Sequence, residues 1–282
     1  MPKIKVGQVD YLNCLPVYHA LEENILPHPY DIIKGPPTRL NEMFLNNRLA
    51  VTPISSIEYA RNSDNCIILP GMSITADGKV SSILLFSKVP VTELEGRKVC
   101  LTSSSATSVA LLKILFEHYY HVDTVFETTT PELESMLKKG DGALLIGDDA
   151  MLAHHLIKEK EMSIHVTDLG EAWKEFTGEK MVYALWVVKE SFARSKPEIV
   201  DQITEDFQQS RQIGWSDPAS LVNKAHKKSG LPLPIVEDYF HTIQHDLGDD
   251  EKRALLTFFD YAYKSDLISE RTQLKIWGEY TL

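Results

Sequence analysis

Cysteine is scarce: Cys14, Cys66 and Cys100 are the three in 282 residues, and none forms a CxxC pair. An odd count without that spacing argues against a disulfide framework and against a cysteine zinc site. The three read as reduced thiols, and Cys14, with no histidine beside it in sequence, reads as packing rather than as a nucleophile. Positive charge is also short, since 29 Lys and Arg stand against 40 Asp and Glu for a formal charge of −11. That balance disfavours nucleic acid and anionic membrane as partners, while leaving room for local binding of a small anion. No apolar run approaches the roughly 20 residues that span a bilayer, and MPKIKVGQVDYLN lacks a signal-peptide apolar core, so the expected compartment is the cytoplasm. Phosphate-loop, GxGxxG and GxSxG patterns are missing, which weakens nucleotide and serine-hydrolase readings and leaves no cofactor motif. Glycine and proline, 14 each, are too few for a long disordered linker, and no internal repeat is seen.

What is present is a core-forming chain, 43% hydrophobic, long enough for two domains of about 100 to 150 residues. It is organised around Gly7 to Tyr18, GQVDYLNCLPVY, where a short apolar strand runs into polar residues and a helix starts at Pro16. In open α/β sheets ligands bind beyond the carboxyl ends of strands, which puts Tyr11 and Asn13 at such a crevice. Asn13 reads equally as a helix cap. A second tip follows in AVTPISSIEYA, residues 50 to 60, where Ser55 and Ser56 open a helix either as ligand groups or as caps. Thr38 is placed to cap the helix between these tips.

Two apolar strands of similar character, SSILLFS at 81 to 87 and MVYALWVV at 181 to 188, flank a βαβαβ-like segment with strand signals at Val99 and Leu144. Within it, Thr130 and Pro131 are expected to open one helix. From Pro197 the pattern is helical, with candidates at 198 to 214, 218 to 229, 232 to 245, 250 to 264 and 269 to 278. Leu255, Phe258, Phe259 and Ala262 form a stripe that needs a sheet to cover. The expected architecture is therefore α/β and two-lobed. Residues 1 to 88 join 189 to 282, residues 89 to 188 form the inserted lobe, and strands 83 to 88 and 182 to 189 serve as the hinge.

The densest polar signal is TSSSATS, residues 102 to 108, between a strand end and an apolar helix. Free helix N–H groups with hydroxyls from Ser104, Ser105, Thr107 and Ser108 suit a carboxylate, although a single serine cap explains part of the pattern. Asp148 and Asp149 lie at a third tip, as a hydroxyl-orienting pair, a base, or a cap with a solvated neighbour. His241 and His245 have i, i+4 spacing but lack the glutamate of HExxH and a third ligand, and they read as a surface or core pair. His154 and His155 point to different sides of a helix.

Taken in order, YLNCLP at 11 to 16, PISSIEYA at 53 to 60, SSILLFS at 81 to 87, SATSVALLKIL at 105 to 115, LLIGDDA at 144 to 150, DLGEAW at 168 to 173 and TGEKMVYALW at 177 to 186 resemble the chorismate dehydratases of the futalosine route to menaquinone. The resemblance covers roughly residues 3 to 190. It implies a fold like that of two-domain periplasmic binding proteins with a ligand cleft between lobes. It also implies dehydration of chorismate to 3-[(1-carboxyvinyl)oxy]benzoate without metal or organic cofactor. By the same resemblance Asn13 and Ser82 are the expected catalytic residues. Tyr11, Ser55, Ser56, Ser81, Ser104, Ser105, Thr107 and Asp148 are the expected substrate-binding set. Two alternatives stand beside it. One is the related 1,4-dihydroxy-6-naphthoate synthase, which by resemblance uses a histidine of the inserted lobe. The other is a cytoplasmic small-anion-binding protein of the same fold.

Overall fold

In the computed structural model, which describes residues 3–279, the opening strand Ile4–Val9 (β1) buries every residue from Val6 onward. A 3-10 turn over Leu12–Cys14 leads into Leu15–Glu22 (α1), with Pro16 in its first turn, where no backbone donor is missed. Then come Tyr30–Gly35 (β2), Pro37–Leu45 (α2), Val51–Ser55 (β3), Ser56–Arg61 (α3) and the long Cys66–Ala76 (β4). A Cβ on Gly7 would stand 2.3 Å from Thr52 Oγ1, so only glycine lets β1 and β3 approach so closely near their tips.

Ile83–Ser87 (β5) begins a second sheet, continued by Lys98–Thr102 (β6), Ala106–Leu115 (α4), Val125–Thr129 (β7) and Leu133–Lys139 (α5). Gly142–Ile146 (β8), Gly147–Glu159 (α6), His165–Asp168 (β9) and Leu169–Thr177 (α7) follow, and Met181–Lys189 (β10) returns to the first sheet. The sheet orders are β2-β1-β3-β10-β4 and β7-β6-β8-β5-β9. In the first, β1 is parallel to β2 and β3 and β10 is antiparallel to β3 and β4; in the second, β6 is parallel to β7 and β8 and β5 is antiparallel to β8 and β9.

The expected boundary after residue 88 does not match this pairing. The strands at 83 to 88 and 182 to 189 do not lie together as one hinge. They occupy equivalent antiparallel positions in different sheets. The chain passes from first sheet to second through residues 77–82, and back through α7 and residues 178–180. Both strands are apolar because both faces of each are covered, a property that does not say which sheet a strand joins.

Glu190–Ser195 (α8), Pro197–Ser216 (α9), Pro218–Ser229 (α10), Leu233–Thr242 (α11) and Asp249–Lys264 (α12) close the fold. Helix α9 lies on α1, and the stripe of α12 is buried against β10, α3 and α4. Phe258 and Tyr261 of α12 also meet Trp173 of α7 edge-on at 6.0 and 5.8 Å, so apolar packing runs without a break from one sheet to the other.

Several local expectations fail for identifiable reasons. No helix forms over 269 to 278. The Tyr59 hydroxyl donates to Gln273 O and accepts from Lys275 N–H, and Ile276 bridges Ile68, so tertiary partners take backbone groups that a helix would pair internally. Helix α5 is capped by Glu132, whose carboxylate accepts from the N–H groups of Glu134 and Ser135, rather than by Thr130. Neither Thr38 nor Asn13 makes a capping bond. Among the described residues, no helix is long and apolar enough to cross a membrane.

Candidate active site

A cavity of about 650 Å³ opens between the carboxyl ends of the two sheets. The tip of β1 supplies Tyr11 and Asn13, and that of β3 supplies Ser55. The first crossing supplies Ser82, and the tip of β6 with the start of α4 supplies Ser104 and Ser105. Four residues that line it carry a buried side-chain oxygen with no hydrogen-bond partner among the described residues: Asn13 Oδ1, Asn41 Oδ1, Ser55 Oγ and the Tyr183 hydroxyl. Leaving a buried polar atom unpaired costs about 1 to 3 kcal/mol, so such atoms mark places where a ligand or solvent atom completes the structure.

Ser82 owes its position to the residue before it. Ser81 adopts φ +63°, a left-handed conformation that a non-glycine residue takes only when its surroundings impose it. Asp168, which caps α7, supplies the constraint. Its buried carboxylate accepts from Val80 N–H at 3.1 Å, Ser81 N–H at 2.7 Å, Gly170 N–H at 2.9 Å and Glu171 N–H at 3.2 Å. One aspartate thus fastens both crossings, and Ser81, expected to bind the substrate, does not line the cavity. The Ser82 carbonyl accepts from Gly147 N–H at 2.6 Å. Gly147 has φ +59°, the left-handed region that favours glycine.

Across the cleft, burial raises the Tyr11 phenol above its ordinary value, an effect partly offset by the neighbouring Ser104 side chain. Ser104 Oγ pairs with Thr102 Oγ1 at 2.6 Å, while Ser105 caps α4 by accepting Ser108 N–H at 3.2 Å. Besides Ser81, three expected ligand side chains are turned elsewhere. Ser56 is fully buried and donates to Val182 O at 2.6 Å. Thr107, 1% exposed, accepts Ile57 N–H at 2.9 Å, so it caps α3 from the opposite side of the cleft instead of facing a ligand. Asp148 Oδ1 accepts Leu12 N–H at 3.4 Å, and burial, partly offset by that bond, pushes its carboxyl up to about 6. Neither it nor Asp149 lines the cavity.

The cavity also holds charges that hydroxyl density does not reveal. Lys113 of α4 lines it, with its ammonium 5.4 Å from the Phe126 ring and no ion pair among the described residues. The spacing 105, 109, 113 along one helix face was the available signal. Arg61 of α3 lines it too, paired with Glu58 at 2.8 Å and donating to Leu267 O. The lining carboxylates are both ion-paired: Glu58 to Arg61, and Glu42 to Arg48 at 3.0 Å. The lining thus offers hydroxyls, two side-chain amides and, in Lys113, a cation without an ion pair among the described residues, a set of groups that can hold an anion.

Comparison with known proteins agrees with this architecture. The fold matches a crystal structure of an Archaeoglobus fulgidus protein, 18% identical, at a TM-score of 0.79 over 94% of this chain and 98% of that one. It also matches the periplasmic aliphatic sulphonate binding protein of Escherichia coli, 14% identical, at 0.70 over 100% of this chain and 94% of that one. The chain thus has the two-lobed α/β fold of periplasmic binding proteins. In sequence it is 26% identical to the chorismate dehydratase of Thermus thermophilus over 90% of this chain and 93% of that protein. It is 28% identical to the chorismate dehydratase of Campylobacter jejuni over 89% and 94%. Similarity to the Thermus thermophilus 1,4-dihydroxy-6-naphtoate synthase is lower, 22% over 92% and 93%. The model of the menaquinone biosynthesis family matches residues 4–264, and the chain belongs to that family.

Proposed function

We propose that this chain is a chorismate dehydratase that removes water from chorismate to give 3-[(1-carboxyvinyl)oxy]benzoate, acting in the cytoplasm on the futalosine route. The observation that carries the reading is the cavity floor. Asn13 and Ser82 converge there, Asn13 Oδ1 and Ser55 Oγ are unpaired, and both lining carboxylates are already engaged by arginines. The substrate is a dianion, which suits the hydroxyls of Ser55 and Ser104 and the ammonium of Lys113.

The reaction removes the proton from the ring carbon bearing the enolpyruvyl ether and expels hydroxide from the neighbouring carbon; together they leave as water and the ring becomes aromatic. Amides and hydroxyls are poor bases near neutral pH, so the base is assigned to the enolpyruvyl carboxylate of the substrate itself. Asn13 and Ser82 fix its geometry near the proton and assist the leaving hydroxyl, with the Asn13 amide nitrogen donating to the carboxylate, since Oδ1 can only accept. Positioning of this kind is worth about 7 kcal/mol or more when the bound geometry approaches attack.

The test is incubation of the pure protein with chorismate, followed by ultraviolet absorbance and product identification, without added metal or cofactor. Appearance of the substituted benzoate supports the reading. Tight chorismate binding with no turnover would make the protein a binder instead. The naphthoate-synthase alternative finds no support in the cavity, because His154 and His155 of α6 do not line it.

A further inference from the structure

The two side chains assigned to catalysis are held from behind by a part of the chain outside the stretch that carries the sequence motifs. Tyr239 of α11 is 1% exposed, and its hydroxyl oxygen accepts from Ser82 Oγ at 3.3 Å. The Asn13 side-chain amide interacts with the same oxygen. Six residues on, the buried His245 imidazole places Nε2 at 2.7 Å from the Asn13 carbonyl oxygen. A carbonyl can only accept, so Nε2 carries the ring proton. Burial holds the imidazole down to about 4 and therefore neutral, leaving Nδ1 without a partner.

His245 is itself anchored. Its carbonyl accepts from Ser73 N–H at 3.1 Å and from Arg211 at 2.6 Å. The preceding Gln244 pairs with Thr75 in both directions, extending the edge of the first sheet. Trp215 of α9 covers the imidazole at 5.8 Å between ring centres. Neither Tyr239 nor His245 lines the cavity. An apolar residue packed under Trp215 would avoid the unpaired Nδ1, yet it would leave the Asn13 carbonyl without its donor.

We infer that Tyr239 and His245 are positioning residues, Tyr239 setting the separation of the Asn13 and Ser82 side chains and His245 fixing the backbone turn that carries Asn13. The inference rests on the assignment of Asn13 and Ser82 to catalysis. Asn13 comes from the first sheet and Ser82 from the crossing, so their relation is set by tertiary contact alone, and a misplacement of about 1 Å can cost on the order of a hundredfold in rate.

The experiment compares Tyr239→Phe, His245→Leu and His245→Gln with Asn13→Ala and Ser82→Ala, reading kcat, KM for chorismate and melting temperature. Tyr239→Phe is expected to lower kcat about 10-fold with KM changed less than about 3-fold and melting nearly unchanged. His245→Leu is expected to lower kcat by about 10- to 100-fold, and His245→Gln to restore it to within about 3-fold, because an amide Nε2 can donate to the same carbonyl. Full kcat in Tyr239→Phe and His245→Leu, with Asn13→Ala and Ser82→Ala inactive, overturns the inference and spares the catalytic assignment. Loss in both His245 variants that only follows their melting temperatures makes His245 structural and overturns its part. Should His245→Leu fail to fold, Tyr239→Phe, which removes a single oxygen, decides. Turnover retained by Asn13→Ala and Ser82→Ala refutes the catalytic assignment and with it the inference.

Discussion

The two sheets share one plan, three parallel strands followed by an antiparallel strand that the chain contributes out of turn and then an edge strand, yet their tips do different work. The first sheet and the crossing beside it place an amide and a serine on the cavity floor, backed by Tyr239 and His245. The second sheet presents hydroxyls from Ser104 and Ser105 and the ammonium of Lys113. A common scaffold fixes where tips meet, and the residues at the tips decide what the meeting can do. The proposed division puts the chemistry on the first sheet's side and most of the anion holding on the second's, with Ser55 of β3 reaching across to share it.

The largest expected effect removes what joins the halves. Asp168→Ala leaves several buried N–H groups unpaired at both crossings and should cost about 3 to 5 kcal/mol in urea unfolding. A loss below about 1 kcal/mol would mean the crossings are held by packing alone. Next, Asn13→Ala and Ser82→Ala should each lower kcat by about 100- to 1,000-fold, whereas Ser105→Ala on the opposite side should act mainly on KM. Equal losses in kcat on both sides would erase the proposed division.

Asp148 sharpens the comparison through pH. Its carboxyl holds its proton to about 6 in the folded state, while an unfolded aspartate releases it near 3.9. The folded state therefore binds more protons between those values, and its stability falls as pH rises through that window. Asp148→Asn, which keeps an acceptor for Leu12 N–H, should be more stable than the parent by about 2 kcal/mol at pH 7.5, with the gap closing near pH 4. His245, depressed to about 4, acts with opposite sign, but it is present in both proteins and cancels. A gap that does not change with pH would remove the buried-carboxyl account.

Lys113→Met should raise KM about 10-fold at low salt with kcat within about 2-fold, the difference shrinking as ionic strength rises. Arg61→Met should do less, because Glu58 already shares that charge. The smallest effect is expected from Thr107→Val, about 1 kcal/mol of stability with KM unchanged, as its hydroxyl serves Ile57 N–H rather than a ligand. A large KM change there would return Thr107 to the anion site.

Much of the fold was legible because its signals are local. Pro16, the alternation of strands and helices, and the stripe of α12 each depend on neighbours within a few residues. The sheet joined by β5 was not legible, since its apolar run satisfies either sheet and only long-range pairing decides. The same limit applies at the site. Ser55, Ser56 and Thr107 look alike in sequence as hydroxyls at helix starts, but one faces the cavity and two are spent on backbone groups, Ser56 on β10 of its own sheet and Thr107 on α3 across the cleft. Lys113 could have been found by helical spacing from Ser105. Tyr239 and His245 could not, because they reach Ser82 and Asn13 from 157 and 232 residues away in the chain.

The Asp168 carboxylate also fixes where the molecule can bend. Because it grips Val80 and Ser81 on one passage and Gly170 and Glu171 on the other, the two passages are tied to each other, and a rotation of one sheet against the other about that knot would leave its neighbours nearly fixed. Displacement grows with distance from an axis. Ser82, next in chain to a residue bound to the knot, has a short lever arm, whereas the α2 wall of the cavity, whose main contacts are with strands of the first sheet, would have a longer one. A rotation of about 5° moves an atom 15 Å from its axis by roughly 1.3 Å and one 3 Å away by under about 0.3 Å. Such a pivot would let the cavity widen for substrate and product while the serine beside the knot stayed almost still.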